Sequence, residues 1–139
     1  MIIMSVDYGD VRTGIAVCDK NEMLASPVKV ITETDRETLS DDIANEAVSL
    51  KAEMIVVGLP KNMDGSEGFR AEACREFASV IETKTGIPVH LYDERLTTVS
   101  AHNALNFTNT RGKKRKSVID AVSAVMILED YMRYRRNSI

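Results

Sequence analysis

The first eight residues, MIIMSVDY, alternate in the manner of a β-strand: the even-numbered residues fall on one face, and Ile3, Ser5 and Asp7 on the other. The turn GDVR and the stretch TGIAVCD then predict a return strand, so the chain should open with a β-hairpin. MLASPVKVIT predicts a third strand, in which Pro27 favours an edge position or a break because it has no backbone N–H.

After residue 32 the apolar spacing becomes helical. Leu39, Ile43, Ala47 and Leu50 predict a helix ahead of the continuous apolar strand MIVVGL. A second helix is predicted over roughly 67–84, with an inner side made of Phe69, Ala73, Phe77, Val80 and Ile81. The remaining predictions are a strand at VHLYDE, a short helix at TTVSAHNALN, a loop at FTNTRGKKRK and a closing helix from 117 to about 134.

A strand hairpin followed by alternating strands and helices predicts an α/β fold, with a mixed sheet and helices packed on it. Right-handed crossovers would place the later strands parallel to the first. The pattern contains no repeat, linker or composition break, so residues 1–139 are expected to form one domain. There is no apolar run of about 20 residues and no basic, apolar leader at the start, which predicts a cytoplasmic protein without a membrane segment.

The net charge of −3 hides an uneven distribution. Residues 111–139 hold eight Lys/Arg against three acidic residues, a net of +5, and the first 110 residues therefore carry −8. Because phosphates respond to local patches, an acidic average does not exclude a polyanionic partner. Aromatic residues make up only 5% and there is no Trp, so no stacking platform for bases is expected.

Two carboxylates are predicted at strand ends. Asp7 ends the first strand, and Glu94, beside Asp93, ends a later one. If these strands are parallel neighbours, their carboxyl ends lie at the sheet edge where α/β proteins usually bind ligands. Alternation alone does not choose between Glu94 and Asp93.

Asp120 is the third candidate, because the helical period turns it inward. It shares a side with Ala124, Ile127 and Tyr131, and it faces away from a stripe made of Glu129, Asp130 and Arg133. Three converging carboxylates would repel one another by about 1–4 kcal/mol per pair at ~4 Å, so such a cluster calls for a cation. Hard oxygen ligands suit one or two Mg²⁺ or Mn²⁺ ions, and phosphodiester hydrolysis is the chemistry that follows.

Each acid also has a purely structural interpretation. Ser117-x-x-Asp120 matches a capping box at the start of the closing helix. Asp7 before Gly9 matches a turn aspartate, and Glu94 next to Arg95 matches a surface ion pair. Their joint placement therefore carries the metal hypothesis.

Five cations in six residues precede Asp120, and contact with phosphates or a solvated loop would each explain them. The candidate nucleic-acid contacts in this run are Arg111, Lys113, Lys114, Arg115 and Lys116. Arg12 and Arg95 follow acidic positions and would either clamp a phosphate or neutralise the neighbouring carboxylate. Selection by backbone shape is favoured over readout of bases.

Four motifs in order, SVDYGDVRTGIAVCD, IVVGLPKNMDGSEG, YDERLTTVSAHNAL and SVIDAVSAVMILEDY, resemble the YqgF (RuvX) family over nearly the whole chain. The resemblance implies the RNase H-like fold of Holliday-junction resolvases, with a mixed five-stranded sheet and helices on both faces. It also implies a metal-dependent nuclease maturing the 5′ end of pre-16S rRNA, with Asp7, Glu94 and Asp120 as catalytic residues and metal ligands. Thr13 stands where the family usually has an aliphatic residue, which puts local strand packing in doubt.

Other functions stay open at this point. The expected partner is nucleic acid, a structured RNA precursor or branched DNA, and the protein would be a monomer or a homodimer. A non-catalytic binding protein of the same fold is a second class. An actin-like ATPase is a third, suggested by DYG and the following Gly14, although such enzymes bind nucleotide between two domains of this type.

Overall fold

The computed structural model describes residues 1–60, 66–93 and 112–137, with the side chains of the last segment described from residue 122 onward. The strands are β1 (Ile3–Asp7), β2 (Arg12–Cys18), β3 (Ala25–Thr32), β4 (Met54–Leu59) and β5 (Val89–Asp93). The helices are α1 (Arg36–Ser49), α2 (Phe69–Thr85) and α3 (Gly112–Asn137).

The five strands form one mixed sheet in the order β3-β2-β1-β4-β5. β1 and β2 are antiparallel, as are β2 and β3, whereas β4 runs parallel to both β1 and β5. The predicted opening hairpin and the parallel later strands are therefore confirmed. Pro27 lies in β3, the outer strand on this side of the described sheet, where the register shifts between Ile15 and Ala16.

Helices α1 and α2 cover one face of the sheet. Leu39, Ile43 and Ala47 of α1 pack with Phe77 and Ile81 of α2 in a single buried cluster over β1, β2 and β4. The carboxylate of Asp35 caps α1 by accepting a hydrogen bond from the Thr38 backbone N–H at 3.0 Å. This face carries the even-numbered residues of β1, as the alternation predicts.

The predicted inner side of α2 is partly wrong. Phe77 and Ile81 are buried as expected, but Phe69 is 88% exposed because it lies in the first turn of the helix. Ala71 and Cys74 are buried under that turn instead and pack on Leu59 at the end of β4. The helix thus presents a different stripe to the sheet at its amino end than apolar spacing indicated.

Helix α3 covers the opposite face and runs antiparallel to β1. The Ser5 hydroxyl donates to the Ala124 carbonyl oxygen at 2.7 Å, which joins the middle of β1 to α3. Further along the helix, the Tyr131 hydroxyl contacts Met54, whose register partner is Ile3 at the start of β1. The amino-terminal half of α3 therefore extends toward the carboxyl end of β1. None of the helices in the described ranges combines the length and the apolar character that crossing a membrane requires.

Three sequence-based expectations for this helix are wrong. It begins at Gly112 rather than near 117, so residues 113–116 belong to its first turns and not to a loop. Ser117 therefore lies inside the helix, and the capping-box interpretation of Asp120 fails because no acidic residue occupies the first turn. Asp130 was expected on the solvent stripe with Glu129, yet it is only 5% exposed and pairs with Arg133 at 3.0 Å.

Candidate active site

Asp7 is the last residue of β1 and lies at the carboxyl edge of the parallel strands. It follows Ser5, whose side chain contacts α3, so alternation places Asp7 on the α3 face of the sheet. Its register partner on β2 is Gly14. On the other side the β1–β4 pairing ends at Val6 opposite Val57, and Gly58 is the next residue of β4. Both positions flanking this half-buried aspartate across the sheet therefore carry no side chain.

The turn that follows Asp7 has a fixed and tight backbone. A Cβ atom at Gly9 would overlap the carbonyl oxygen of Arg12, so any other residue would distort the turn. The buried Thr13 hydroxyl bonds within the turn, accepting from the Gly9 N–H at 3.3 Å and donating to the Gly9 carbonyl at 3.4 Å. The threonine that departs from the family pattern thus gains two polar partners at its buried position.

Tyr8 and Arg70 attach this turn to helix α2. The Tyr8 ring stacks on Phe77 with centroids 4.2 Å apart, and burial raises the pKa of its phenol above the usual value. Arg70 donates to the Tyr8 carbonyl at 2.7 Å and to the Asp10 carboxylate at 3.0 Å. Sequence reasoning missed Arg70, and its place at the start of a helix well separated along the chain gave no local signal.

The backbone of α3 brings position 120 toward this edge. From the Ser5–Ala124 contact, Asp7 lies two residues further along β1, or about 7 Å. Position 120 lies four residues back along the antiparallel helix, or about 6 Å. The helical period also places position 120 on the same side as Ala124 and Ile127, both fully buried against the sheet.

The third predicted acid falls at the end of β5, which is parallel to β1 but is not its neighbour. β4 separates the two strands, so their ends lie about 10 Å apart. Asp93 lies two residues after Leu91 and therefore on the same face, toward α1 and α2, which is the face opposite Asp7. Glu94 itself lies outside the described residues.

The structure describes only some of the cationic residues that were predicted to contact nucleic acid. Arg12 begins β2 at the same edge as Asp7 and is half-buried, whereas Arg95 and Arg111 lie outside the described residues. The α3 backbone places residues 113–116 in the turns just before position 120. Within the described ranges, no three His, Cys, Asp or Glu side chains gather as a metal site, and of the three proposed ligands those ranges describe only the Asp7 side chain.

A cluster of tyrosines joins β5 to the carboxyl-terminal half of α3 on the α3 face of the sheet. Tyr92 lies on β5, in register with Gly58 of β4. Its ring centroid is 5.7 Å from that of Tyr131 and 6.1 Å from that of Tyr134, both on α3. A cavity of about 320 Å³ opens next to them, which we call the tyrosine groove; its lining residues are Tyr92, Asp130, Arg133, Tyr134 and Asn137. The fold thus joins tyrosines that are far apart in the sequence, from β5 and α3.

The fold described above agrees with comparisons to known proteins. The family model described as RuvX, Holliday junction resolvase, matches residues 1–134, and the chain belongs to this family. A protein of Halothermothrix orenii named "Putative pre-16S rRNA nuclease" is 43% identical over 97% of this chain and 96% of its own length. A protein of the same name from Lachnospira eligens is 43% identical over 95% of this chain and 96% of its own length.

Solved structures show the same architecture. RuvC of Thermus thermophilus, in complex with a Holliday junction substrate, superposes with a TM-score of 0.63 at 13% identity, covering 97% of this chain and 96% of that one. The fowlpox virus Holliday junction resolvase gives a TM-score of 0.56 at 13% identity, covering 96% of this chain and 99% of that one. The predicted RNase H-like α/β fold, with helices on both faces of a mixed five-stranded sheet, is thereby confirmed.

Proposed function

We propose that this chain is a metal-dependent nuclease that hydrolyses phosphodiester bonds in the 5′ region of precursor 16S rRNA. Its family and the names of relatives about 40% identical over nearly their full lengths support the reaction and the substrate. A cytoplasmic location is part of the proposal. The observation that carries it is the placement of Asp7 at the carboxyl edge between Gly14 and Gly58, below the amino-terminal half of α3.

Three carboxylates would hold one or two Mg²⁺ or Mn²⁺ ions: Asp7, Asp120 and Glu94. The α3 backbone supports Asp120 as a partner of Asp7, because position 120 reaches the level of Asp7 on the sheet-facing side of the helix. The family motif favours Glu94 as the third ligand, and Asp93 belongs to the face of the sheet opposite Asp7. An all-oxygen ligand set suits these hard cations, which stabilise charge on phosphate oxygens when bound.

The chain's own residues would position the nucleic-acid backbone. Because Gly14 and Gly58 carry no side chains, a phosphate group has room to approach the Asp7 carboxylate from the α3 face. The cationic residues 113–116 lie near the amino end of α3, where the helix dipole is also positive. A polyanion nearby would relieve this repulsion between like charges. Arg12, Arg95 and Arg111 complete the proposed phosphate contacts.

Cleavage of a labelled 5′ fragment of precursor 16S rRNA in Mg²⁺ or Mn²⁺ tests the proposal. Asp7→Asn should lower the rate by about 100-fold or more, the size expected when one preorganised charged group is lost from an active site. Asp10→Asn is the matched control, since it removes a carboxylate from the same turn that pairs with Arg70 on the surface. It should cleave at nearly the parental rate.

Three outcomes would change the conclusion. Equal rates for Asp7→Asn and the parent would remove Asp7 from the chemistry. Equal losses in both variants would indicate a general disturbance of the turn. Tight RNA binding without cleavage in either metal would favour the non-catalytic binding protein.

Cleavage of branched DNA is the second candidate, favoured by the description of the matching family as a Holliday junction resolvase. Symmetric resolution of a four-way junction requires two sites related by a dimer axis. The same variants should therefore be assayed on a synthetic junction, together with a solution mass measurement. Paired cuts by a dimer would favour the DNA substrate, and a monomer that cleaves only RNA would exclude it.

A further inference from the structure

We propose that Arg70 is a positioning residue for the reaction, which holds the turn after β1 so that the Asp7 carboxylate keeps a fixed orientation. The inference rests on the proposed nuclease function, and it adds a residue of α2 that acts through the backbone rather than by touching metal or RNA. The observation that carries it is a two-point contact. The Arg70 guanidinium donates to the Tyr8 carbonyl at 2.7 Å and to the Asp10 carboxylate at 3.0 Å.

Asp7 depends on support from outside the sheet because it is the last residue of β1. On the β2 side it still has a register partner, but on the β4 side the pairing ends one residue earlier, at Val6 opposite Val57. The ladder therefore fixes the backbone of Asp7 along one side only. The Tyr8 carbonyl oxygen, one residue beyond the strand, accepts its hydrogen bond from Arg70 instead.

Arg70 reaches the turn from a firmly packed part of α2. Its chain neighbour Ala71 is fully buried, and Ala71 and Cys74 pack with Leu59 at the end of β4. The first turns of α2 are thus held against the sheet next to β1, and the planar guanidinium adds a fixed fork of donors. A displacement of the turn has to break two bonds from this one group.

The two-point contact should matter more for the reaction than for stability. Asp10 is 83% exposed and Arg70 44%, and an ion pair so open to water contributes little to the free energy of unfolding. By contrast, a displacement of about 1 Å in an active site can lower a rate about 100-fold. Loss of Arg70 should therefore affect catalysis far more than folding.

A direct contact between Arg70 and a phosphate is the alternative role for a cation at this edge. The two roles differ in the kinetic constant that they change. A positioning residue acts on kcat, whereas a residue that binds RNA equally in the ground state and the transition state acts on KM.

Steady-state cleavage of the precursor RNA by Arg70→Gln tests the inference. This variant should lower kcat by about 10- to 100-fold and leave KM within about twofold of the parental value. Arg70→Lys should recover part of the loss, because an ammonium group can donate to the Tyr8 carbonyl but does not form the planar fork. Arg75→Gln is the matched control on the same helix, since Arg75 is 48% exposed and pairs with Glu67 outside the turn. It should cleave at the parental rate.

Amide hydrogen exchange without divalent metal gives a readout that does not depend on activity. The Gly9 N–H, which bonds Thr13 at 3.3 Å, should exchange about fivefold or more faster in Arg70→Gln, the effect of one lost hydrogen bond on local opening. The Val6 amide within the sheet should exchange as in the parent. The Tm should fall by no more than about 4 °C.

An unchanged kcat in Arg70→Gln would overturn the inference, and so would a raised KM at unchanged kcat, which would make Arg70 an RNA contact. A lower kcat without faster exchange of the Gly9 amide would also overturn it, because the turn would not have loosened. Asp7→Asn judges the proposed function separately. If Asp7→Asn loses cleavage while Arg70→Gln keeps it, only the positioning role fails. If neither variant changes the rate, Asp7 has no part in the chemistry and the proposed function fails as well.

Discussion

Ser5→Ala tests whether one buried hydrogen bond positions α3 over the candidate active site. The Ser5 hydroxyl is fully buried and donates to the Ala124 carbonyl at 2.7 Å, two residues from Asp7 along β1 and one helical turn from position 120. Removing it should cost about 1 kcal/mol, the usual net contribution of such a bond. For a chain of 139 residues this corresponds to a fall in Tm of roughly 3–5 °C.

The same substitution should also weaken metal binding, because the helix that carries Asp120 is less firmly held. At Mg²⁺ concentrations well above Kd, a tenfold loss of affinity would reduce the stabilisation of the native state by Mg²⁺ by about 1.4 kcal/mol. Urea unfolding with and without Mg²⁺ measures both effects in one experiment. If the bond and the metal site are coupled, Mg²⁺ raises the free energy of unfolding less in Ser5→Ala than in the parent.

Ser40→Ala is the matched control on the other face of the sheet. Ser40 is also fully buried and donates to a backbone carbonyl, that of Glu37, at 2.7 Å. It additionally accepts from Lys84, so its loss of stability should equal or exceed that of Ser5→Ala. The increase in its free energy of unfolding on adding Mg²⁺ should nevertheless match that of the parent. An undiminished Mg²⁺ gain in Ser5→Ala would refute the positioning role of the Ser5 bond.

Three further changes probe the turn, the charge network and the cationic helix start. Thr13→Val should lose about 1–2 kcal/mol in urea unfolding, because the Gly9 groups bonded to Thr13 lose their partner; unchanged stability would contradict this role. The bond from Arg135 lowers the pKa of Glu22, so its stabilisation is complete above the unfolded pKa of about 4.3 and is lost as the pH falls through the folded value. Glu22→Gln should therefore flatten the acid side of the stability profile, and parallel profiles would contradict it. Replacing the four cations of residues 113–116 with Gln should reduce the slope of log affinity for RNA against log salt, and equal slopes would exclude them from the interface.

Local patterns predicted the strands well because each strand has one face toward α1 and α2 and the other toward α3. Alternation in β1 placed Ser5 and Asp7 on the same face, which the Ser5–Ala124 bond supports. The order of the sheet was not accessible in this way. Insertion of β4 between β1 and β5 depends on crossovers between distant segments, so local patterns do not show that a further strand separates Asp7 from the end of β5.

The helices show where periodicity misleads. Residues 113–116 were interpreted as a loop because they are charged, although Lys and Arg are good helix formers and the helix already begins at Gly112. The helical period counted from Asp120 predicts Asp130 on the outer stripe, but α3 also has buried contacts near Tyr92. The tyrosine groove could not be predicted, because Tyr92 and Tyr134 meet only through the register of β5 against α3.

The central claim is that Asp7, Asp120 and Glu94 share divalent metal on the α3 face of the sheet. A crystal of the protein grown with Mn²⁺, with diffraction data recorded at the manganese absorption edge, tests it most directly. The account predicts an anomalous peak within about 2–2.5 Å of the Asp7 carboxylate, in the space left by Gly14 and Gly58 and in contact with Asp120. A fully occupied Mn²⁺ bound only elsewhere, with Asp7 and Asp120 turned toward separate surfaces, would contradict it.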